Sequence, residues 1–333
     1  MVHVLPNEEQ TQIAEAVSRF LDQELPVERL RTGSNISRET ARWREMAELG
    51  YLTLALPEAL GGADLTLAEE VLVFLEFGRV LISPSAIATT IAAHMCAETG
   101  QAELAQSLAA GRKRAGLAIR AGDGALLLLD ARSADAIVLR TADAVHLYEY
   151  AALTDVSAAR GFDESVALDR ATLAADPVLS IDNAHAPLER RLRILATAML
   201  VAVAQAAQAM AVAYAKEREQ FGRPIGSFQA IKHRCSDMAV ASQMAYCQLL
   251  LATIAANSDA PDADFQVVAA TVLAIKAALE NSAASIQVHG GIGFTAEYDA
   301  HRFLKRARLL EQVCGALRHQ QLSLLDHSRP EQR

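Results

Sequence analysis

The sequence predicts an α+β fold in three segregated parts: an N-terminal helical domain (1–111), a small middle β domain (112–186) and a C-terminal helical bundle domain of four-helix type (187–333). Three observations carry this. Apolar residues recur at helical spacing up to about residue 110. From 115 onward they fall into short apolar or alternating runs divided by Gly-Asp and Ala-Asp turns. From 187 they return to long helical segments with short polar breaks. Helices, strands and helices in separate blocks do not describe a wound α/β sheet, in which the two alternate one for one.

The elements follow in order. Asn7 with Gln10 three residues later is a capping-box pattern, and Ile13, Val17, Phe20 and Leu21 line one face of the helix it opens. "ETARWREMAELG" (39–50) makes a second helix, stopped by Gly50. "LPEALGGADL" (56–65) reads as a loop from its Pro and Gly content. Helices follow over 67–81 and 85–100, separated by Ser83-Pro84, and a short one over 102–110. Beyond Gly111 the runs 115–119, 125–130, 136–140 and 145–151 read as strands, and the pattern continues less regularly to Asp182. A long helix is expected over 188–218, a second over 228–257 and a third over 265–286, with "NSDAPDAD" (257–264) breaking the last two apart. A glycine loop (289–293) precedes a final helical region over 297–327, interrupted near Gly315, and 328–333 reads as a frayed tail.

With 52% hydrophobic, 21% charged and 5% aromatic residues, the composition is that of a globular chain with an Ala/Leu/Val interior. A formal net charge of −9 and the absence of a basic face with interleaved aromatics argue against nucleic-acid or anionic-membrane partners. Cys96, Cys235, Cys247 and Cys314 show neither CxxC nor zinc-site spacing. Unpaired thiols, together with an N-terminus lacking a basic n-region and apolar h-region, point to a cytoplasmic location. The stretch 194–215 carries no charge, but its two glutamines and many alanines make it a buried bundle helix in preference to a membrane span.

Two stretches are chemically suggestive. In "AKEREQFGRPIGSFQAIKHRCSDMA" (215–239) a long helix ends at Gly222 and Pro224, with Arg218 suited to a bidentate hold on phosphate and Phe221 offering a flat face to a ring. From the corner alone, a plain helix–loop–helix turn with solvated charges is the favoured reading. In "QVHGGIGF" (287–294) three glycines permit close backbone approach and an anion nest, but a helix and not a strand precedes them, so it is not a dinucleotide fingerprint. His289 reads as a satisfied loop or core histidine. Cys314, next to Gly315, could be a nucleophile, a metal ligand, a core thiol or a residue standing where another group normally works.

Together these stretches resemble the acyl-CoA dehydrogenase family. The corner is similar to the family's "ERxxFGxPIxxFQxxxxxLADM", and "QVHGGIGFTAEYDAHRFLKRARLL" (287–310) to its "QxxGGxGYTxEYxxERxxRDARxx". "WREMAELGYLTLALPEALGGADLTLAEEVLVFLEFGR" (43–79) is similar to its "LxELGLLGLxxPEExGGxGLSxxxxxxVxExLGR". The resemblance implies a helical, β and four-helix domain assembled as a dimer of dimers around FAD. It also implies that Arg218, Phe221, Gln287 and Gly291 reach the flavin nucleotide of a neighbouring subunit.

The family forms a double bond between the α and β carbons of an acyl-CoA thioester, a carboxylate removing the α proton as hydride leaves the β carbon. Its base is the Glu of a "YEG" tripeptide, 27 residues past the loop glutamine. Here that position is Cys314, within "Val-Cys-Gly". The family's other base location, before an arginine of the long helix, falls on Leu192, before Arg193. Neither is a carboxylate, a thiol is shorter than a glutamate side chain, and Glu311 lies one helical turn away. The flavin-ring motifs "TEPxxGSD" and "WITN" are also missing from 117–139, which reads "LAIRAGDGALLLLDARSADAIVL".

The resemblance therefore implies a degenerate, non-catalytic subunit of a heteromeric α2β2 acyl-CoA dehydrogenase. Its FAD would be shared with a full-length catalytic partner, and its substrate class would be a bulky, steroid-derived acyl-CoA. The alternatives are a flavin-free scaffold or acyl-CoA-binding subunit, and a self-sufficient homotetramer with an unrecognised base.

Overall fold

The structure, a computed structural model, describes residues 4–32, 35–182 and 187–326; the tail at 328–333 lies outside them. Helix α1 (Glu8–Glu24) begins on the expected cap: the Asn7 side chain accepts from the Gln10 N–H, and the Gln10 side chain accepts from the Asn7 N–H. The helices α2 (Asn35–Glu48), α3 (Leu67–Arg79), α4 (Ser85–Glu98) and α5 (Ala102–Ala109) follow. Strands β1 (Ala115–Arg120), β2 (Leu126–Leu129), β3 (Ala136–Arg140), β4 (Ala144–Glu149), β5 (Leu153–Ala159), β6 (Leu168–Leu173) and β7 (Leu179–Asp182) form one sheet, in the order β5-β6-β2-β1-β3-β4-β7. Among the described residues only β1 and β3 pair in parallel. The helical C-terminal part comprises α6 (Pro187–Glu217), α7 (Gln229–Asn257), α8 (Ala263–His289), α9 (Ala300–Cys314) and α10 (Leu317–Asp326). The helix–sheet–helix segregation is the predicted α+β class.

An element the sequence does not foresee follows α6. Where the sequence suggested a charged turn after α6, the chain forms a two-residue hairpin between β8 (Glu219–Gln220) and β9 (Arg223–Pro224).

The chain divides into two compact units. The first, residues 34–73 with 82–195, holds the sheet. Leu126, Leu128, Ile137, Leu139, Tyr148 and Ala171 make one apolar cluster on it. In α4 every residue from Ser85 to Cys96 is buried. Its small Ala, Ser and Thr side chains let neighbours approach on all sides, and its hydroxyls are partnered. Thr89 accepts from the Ala115 N–H at 3.0 Å, and Thr90 donates to the Leu52 carbonyl at 2.7 Å.

The second unit comprises 1–33, 74–81 and 196–333, with α8 at its centre. Thr197 and Thr271 join α6 to α8 at 3.0 Å, and the Asn281 amide donates to the Ala204 and Met238 carbonyls at 3.1 and 2.9 Å. Gly78 lies so close to α6 that a Cβ there would stand 2.5 Å from the Met199 carbonyl oxygen. Buried Arg29 donates to the carbonyls of Leu25 and Val80 at 2.7 and 2.8 Å.

Three helices, α6, α7 and the segment from α8 to Phe294, are long and apolar enough to cross a membrane by length and composition. The most apolar stretch of α6 is 72% buried within the fold, which accounts for its hydropathy. That of α7 is only 44% buried.

Candidate functional site

The candidate residues lie at two chain reversals of the second unit. In the last turn of α6 the Arg218 N–H donates to the Tyr214 carbonyl at 2.9 Å. The hairpin then turns at Phe221 and Gly222, whose φ angles are 54° and 74°. Both central residues are left-handed, as in the type I′ turn that matches strand twist across a two-residue connection. Glycine adopts this conformation freely, whereas a bulky side chain is strained in it, by about 1–3 kcal/mol. Phe221 is 92% exposed, its ring edge-on to Phe228 at 6.1 Å. The Arg223 guanidinium lies 4.3 Å above the Phe228 ring. Arg218 itself is exposed.

At the other reversal α8 ends on His289 and a 3-10 turn runs over Gly290–Phe294. Its three glycines stand there for different reasons. Gly290 has φ of 65°, which favours glycine. Gly293 is needed for close packing, since a Cβ would lie 2.8 Å from the Ile286 carbonyl oxygen. Gly291 has neither reason: a Cβ there meets nothing within 4 Å, and its φ is unexceptional. Its bare backbone faces outward, as does the Gln287 side chain.

The two reversals meet. Ala211, Ala215, Met238 and Val288 form an apolar cluster against which Tyr214 and Ile225 pack. Gly226 lies close enough to α6 that a Cβ would stand 2.8 Å from the Ala215 carbonyl oxygen. Tyr214 stacks on His289 with ring centroids 4.3 Å apart. A groove of about 390 Å³ between α7 and α8 shares Met238 and Ala284 with this region and is lined by His233, Arg234, Asp237 and Glu280.

Both positions at which the resemblance leads one to expect a base are buried. Cys314 is 0% exposed at the end of α9, where Gly315, with φ of 90°, ends the helix. The Cys314 carbonyl accepts from the Gln320 amide at 2.8 Å. Glu311 is committed elsewhere, pairing with Arg308 at 3.0 Å and accepting from the Leu317 N–H at 3.3 Å. Leu192 is 1% exposed, and Arg193 is paired with Glu189 at 2.6 Å.

The first unit holds two buried charge clusters that the sequence did not disclose. Glu70 sits between His94, at 2.9 Å, and Arg191. Burial pushes its carboxyl up, but the contacts with His94 and Arg191 outweigh this and hold it below the usual carboxylate range. The second joins Glu39, Ser83, Arg114 and Asp130, of which Glu39, Arg114 and Asp130 line a void of about 40 Å³. The Arg114 guanidinium lies 3.9 Å over Trp43 and 3.6 Å from the Glu39 carboxylate. Asp130, with φ of 47°, accepts from the Ala167 N–H at 2.6 Å and from the Ser83 hydroxyl. Burial and the neighbouring Glu39 push its carboxyl up to about 6.

A profile of the acyl-CoA dehydrogenase N-terminal domain matches residues 7–110, and one of the C-terminal domain matches residues 190–324. The chain belongs to the acyl-CoA dehydrogenase family of FAD-using oxidoreductases. Among particular relatives, acyl-CoA dehydrogenase IpdE2 of Mycobacterium tuberculosis is 32% identical over 332 residues, covering 94% of this chain and 96% of that protein. Acyl-CoA dehydrogenase FadE34 of the same organism is 34% identical over 275 residues, which cover 79% of this chain but only 38% of FadE34. A solved structure of a variant of the Tcur3481-Tcur3483 steroid ACAD matches with a TM-score of 0.84 and 26% identity, over 96% of this chain and 97% of that one.

Proposed function

We propose that this chain is the non-catalytic subunit of a heteromeric, α2β2 acyl-CoA dehydrogenase acting on a bulky, steroid-derived acyl-CoA. It grips the nucleotide half of an FAD whose reactive half, together with the catalytic carboxylate, belongs to the partner subunit. The observation that carries this reading is the contrast between two sets of residues. Arg218, Phe221, Gln287 and Gly291 all face outward, while Cys314 and Leu192, at the base positions, are sealed in the interior and carry no carboxylate. A group that must reach a substrate α proton cannot do so from either place.

The residues present fit a nucleotide. Gly291 leaves its backbone open with no reason inside the chain, Arg218 offers a planar fork to a diphosphate, and Phe221 presents an unburied ring face for stacking. FAD, when bound, accepts the hydride that leaves the substrate's β carbon; this chain's residues hold and orient it. A partner also accounts for the exposed apolar side chains Val240, Met244 and Leu251 on α7. The steroid-derived substrate class is supported by the steroid ACAD to which the chain is similar.

The test is co-expression with a full-length acyl-CoA dehydrogenase subunit, followed by flavin and chain stoichiometry. The expected product is a yellow complex that loses FAD on Arg218→Ala, by roughly 10- to 100-fold in affinity for one charge-assisted contact, and keeps its turnover on Cys314→Ala. A colourless complex that still binds acyl-CoA would favour the flavin-free scaffold. Turnover by this chain alone, abolished by Cys314→Ala, would overturn the proposal.

A further inference from the structure

We infer that Tyr214, His289 and Tyr298 form a positioning stack, which fixes the spacing between the Arg218–Phe221 corner and the Gln287–Gly291 loop and so sets the affinity for FAD. The inference rests on the reading of these four residues as nucleotide contacts. None of the three stack residues is placed in contact with the nucleotide; they act through the segments they tie together.

The geometry is that of a three-way junction. Tyr214 lies one turn before Arg218 on α6, and His289 lies two residues after Gln287 and two before Gly291. Tyr298 opens the approach to α9, next to buried Asp299, which Arg31 holds at 2.6 Å. The Tyr214 and His289 rings are nearly parallel, at 26° and 4.3 Å. Tyr298 meets His289 at 5.0 Å and Tyr214 edge-on at 5.8 Å. These separations lie in the attractive range for aromatic pairs. Three elements that reach the candidate site from different parts of the sequence are thereby fixed at one point.

The central ring is held in rotation as well as in place. A carbonyl only accepts, so the 2.7 Å contact between His289 Nδ1 and the Ser285 carbonyl puts the proton on Nδ1 and pins the imidazole against its own helix. Nε2 is then a lone-pair acceptor with no hydrogen-bond partner among the described residues, in a residue only 4% exposed. A purely apolar stack would not bury such an atom. Histidine is instead the ring that both stacks and locks its orientation to the last turn of α8, immediately before the glycines.

The experiment uses the complex of this chain with its catalytic partner. FAD affinity is read by fluorescence titration, KM is measured for the acyl thioester, and the melting temperature of the FAD-free complex is recorded. Tyr214→Leu and His289→Leu are expected to weaken FAD about tenfold, the scale of a lost aromatic pair, with KM unchanged. Tyr214→Phe keeps the ring and is expected to stay within about threefold of the native complex, whereas His289→Phe keeps the stack but loses the Nδ1 lock and is expected to fall between the leucine variant and the native complex. A merely structural role would lower the melting temperature and leave FAD affinity, measured well below it, unmoved; that outcome overturns the inference. Equal weakening by leucine and phenylalanine at position 289 overturns it too. If His289→Leu does not assemble, the Tyr214→Leu and Tyr214→Phe pair decides. A native complex that binds no FAD refutes the functional reading itself, whereas a native complex that binds it and variants that match it refute only the stack.

Discussion

Asp130→Asn should make this chain more stable at neutral pH, although it removes a hydrogen-bonded carboxylate. Asp130 is 8% exposed, and burial with Glu39 alongside raises its carboxyl from an ordinary 3.8 to about 6. Between those values the folded chain keeps the proton while the unfolded chain releases it. Stability therefore falls as pH rises through that window, and the full penalty stands above pH 6. At about 1.4 kcal/mol for each tenfold change in proton affinity, the penalty is about 3 kcal/mol. Asparagine can still accept from the Ala167 N–H, and Glu39 remains to face Arg114 at 3.6 Å. Part of the gain is lost with the Ser83 donor, worth about 1 kcal/mol. Urea unfolding at pH 4.5 and pH 8 measures the difference. The variant should exceed the native chain by about 1–3 kcal/mol at pH 8, and by much less at pH 4.5. A difference that is the same at both pH values, or a variant less stable at pH 8, would show that the cluster does not strain Asp130.

Other substitutions probe other parts of the fold. Glu70→Gln leaves Arg191 and His94 facing an uncharged amide in the interior, and should cost about 3–5 kcal/mol by thermal or urea unfolding. Gly78→Ala places a methyl 2.5 Å from the Met199 carbonyl oxygen, backbone that cannot swing away; a loss of about 1–3 kcal/mol or more is expected. Gly291→Ala meets nothing within 4 Å, so it should leave the melting temperature unchanged while weakening FAD binding in the complex.

What the sequence disclosed was local. The Asn7–Gln10 cap is written within four residues, and the strand runs at 115–119 and 136–140 became β1 and β3 because apolar runs between turn residues have few other uses. The hairpin at 219–224 stayed hidden because its turn carries Phe-Gly where Asn-Gly is the usual signal. The charge clusters stayed hidden for another reason: Glu70 finds His94 24 residues away and Arg191 121 residues away. No window on the sequence spans such pairs. For the candidate site, residue identities came from motif resemblance, but their outward orientation and the stack that joins them came only from three dimensions. The sequence suggests a satisfied His289; the fold satisfies one of its nitrogens, while the other has no partner among the described residues.

The turn at Phe221 separates two kinds of selection. Asparagine or glycine at that position would relieve the backbone at little cost in packing, because a ring 92% in solvent keeps only its edge-on contact with Phe228. A population of variants chosen only for folding would drift away from phenylalanine there. On the proposed function, one chosen for holding a flavin in the assembled enzyme would keep it, and the gap between the two outcomes would measure how far this residue serves a neighbouring molecule at its own chain's expense.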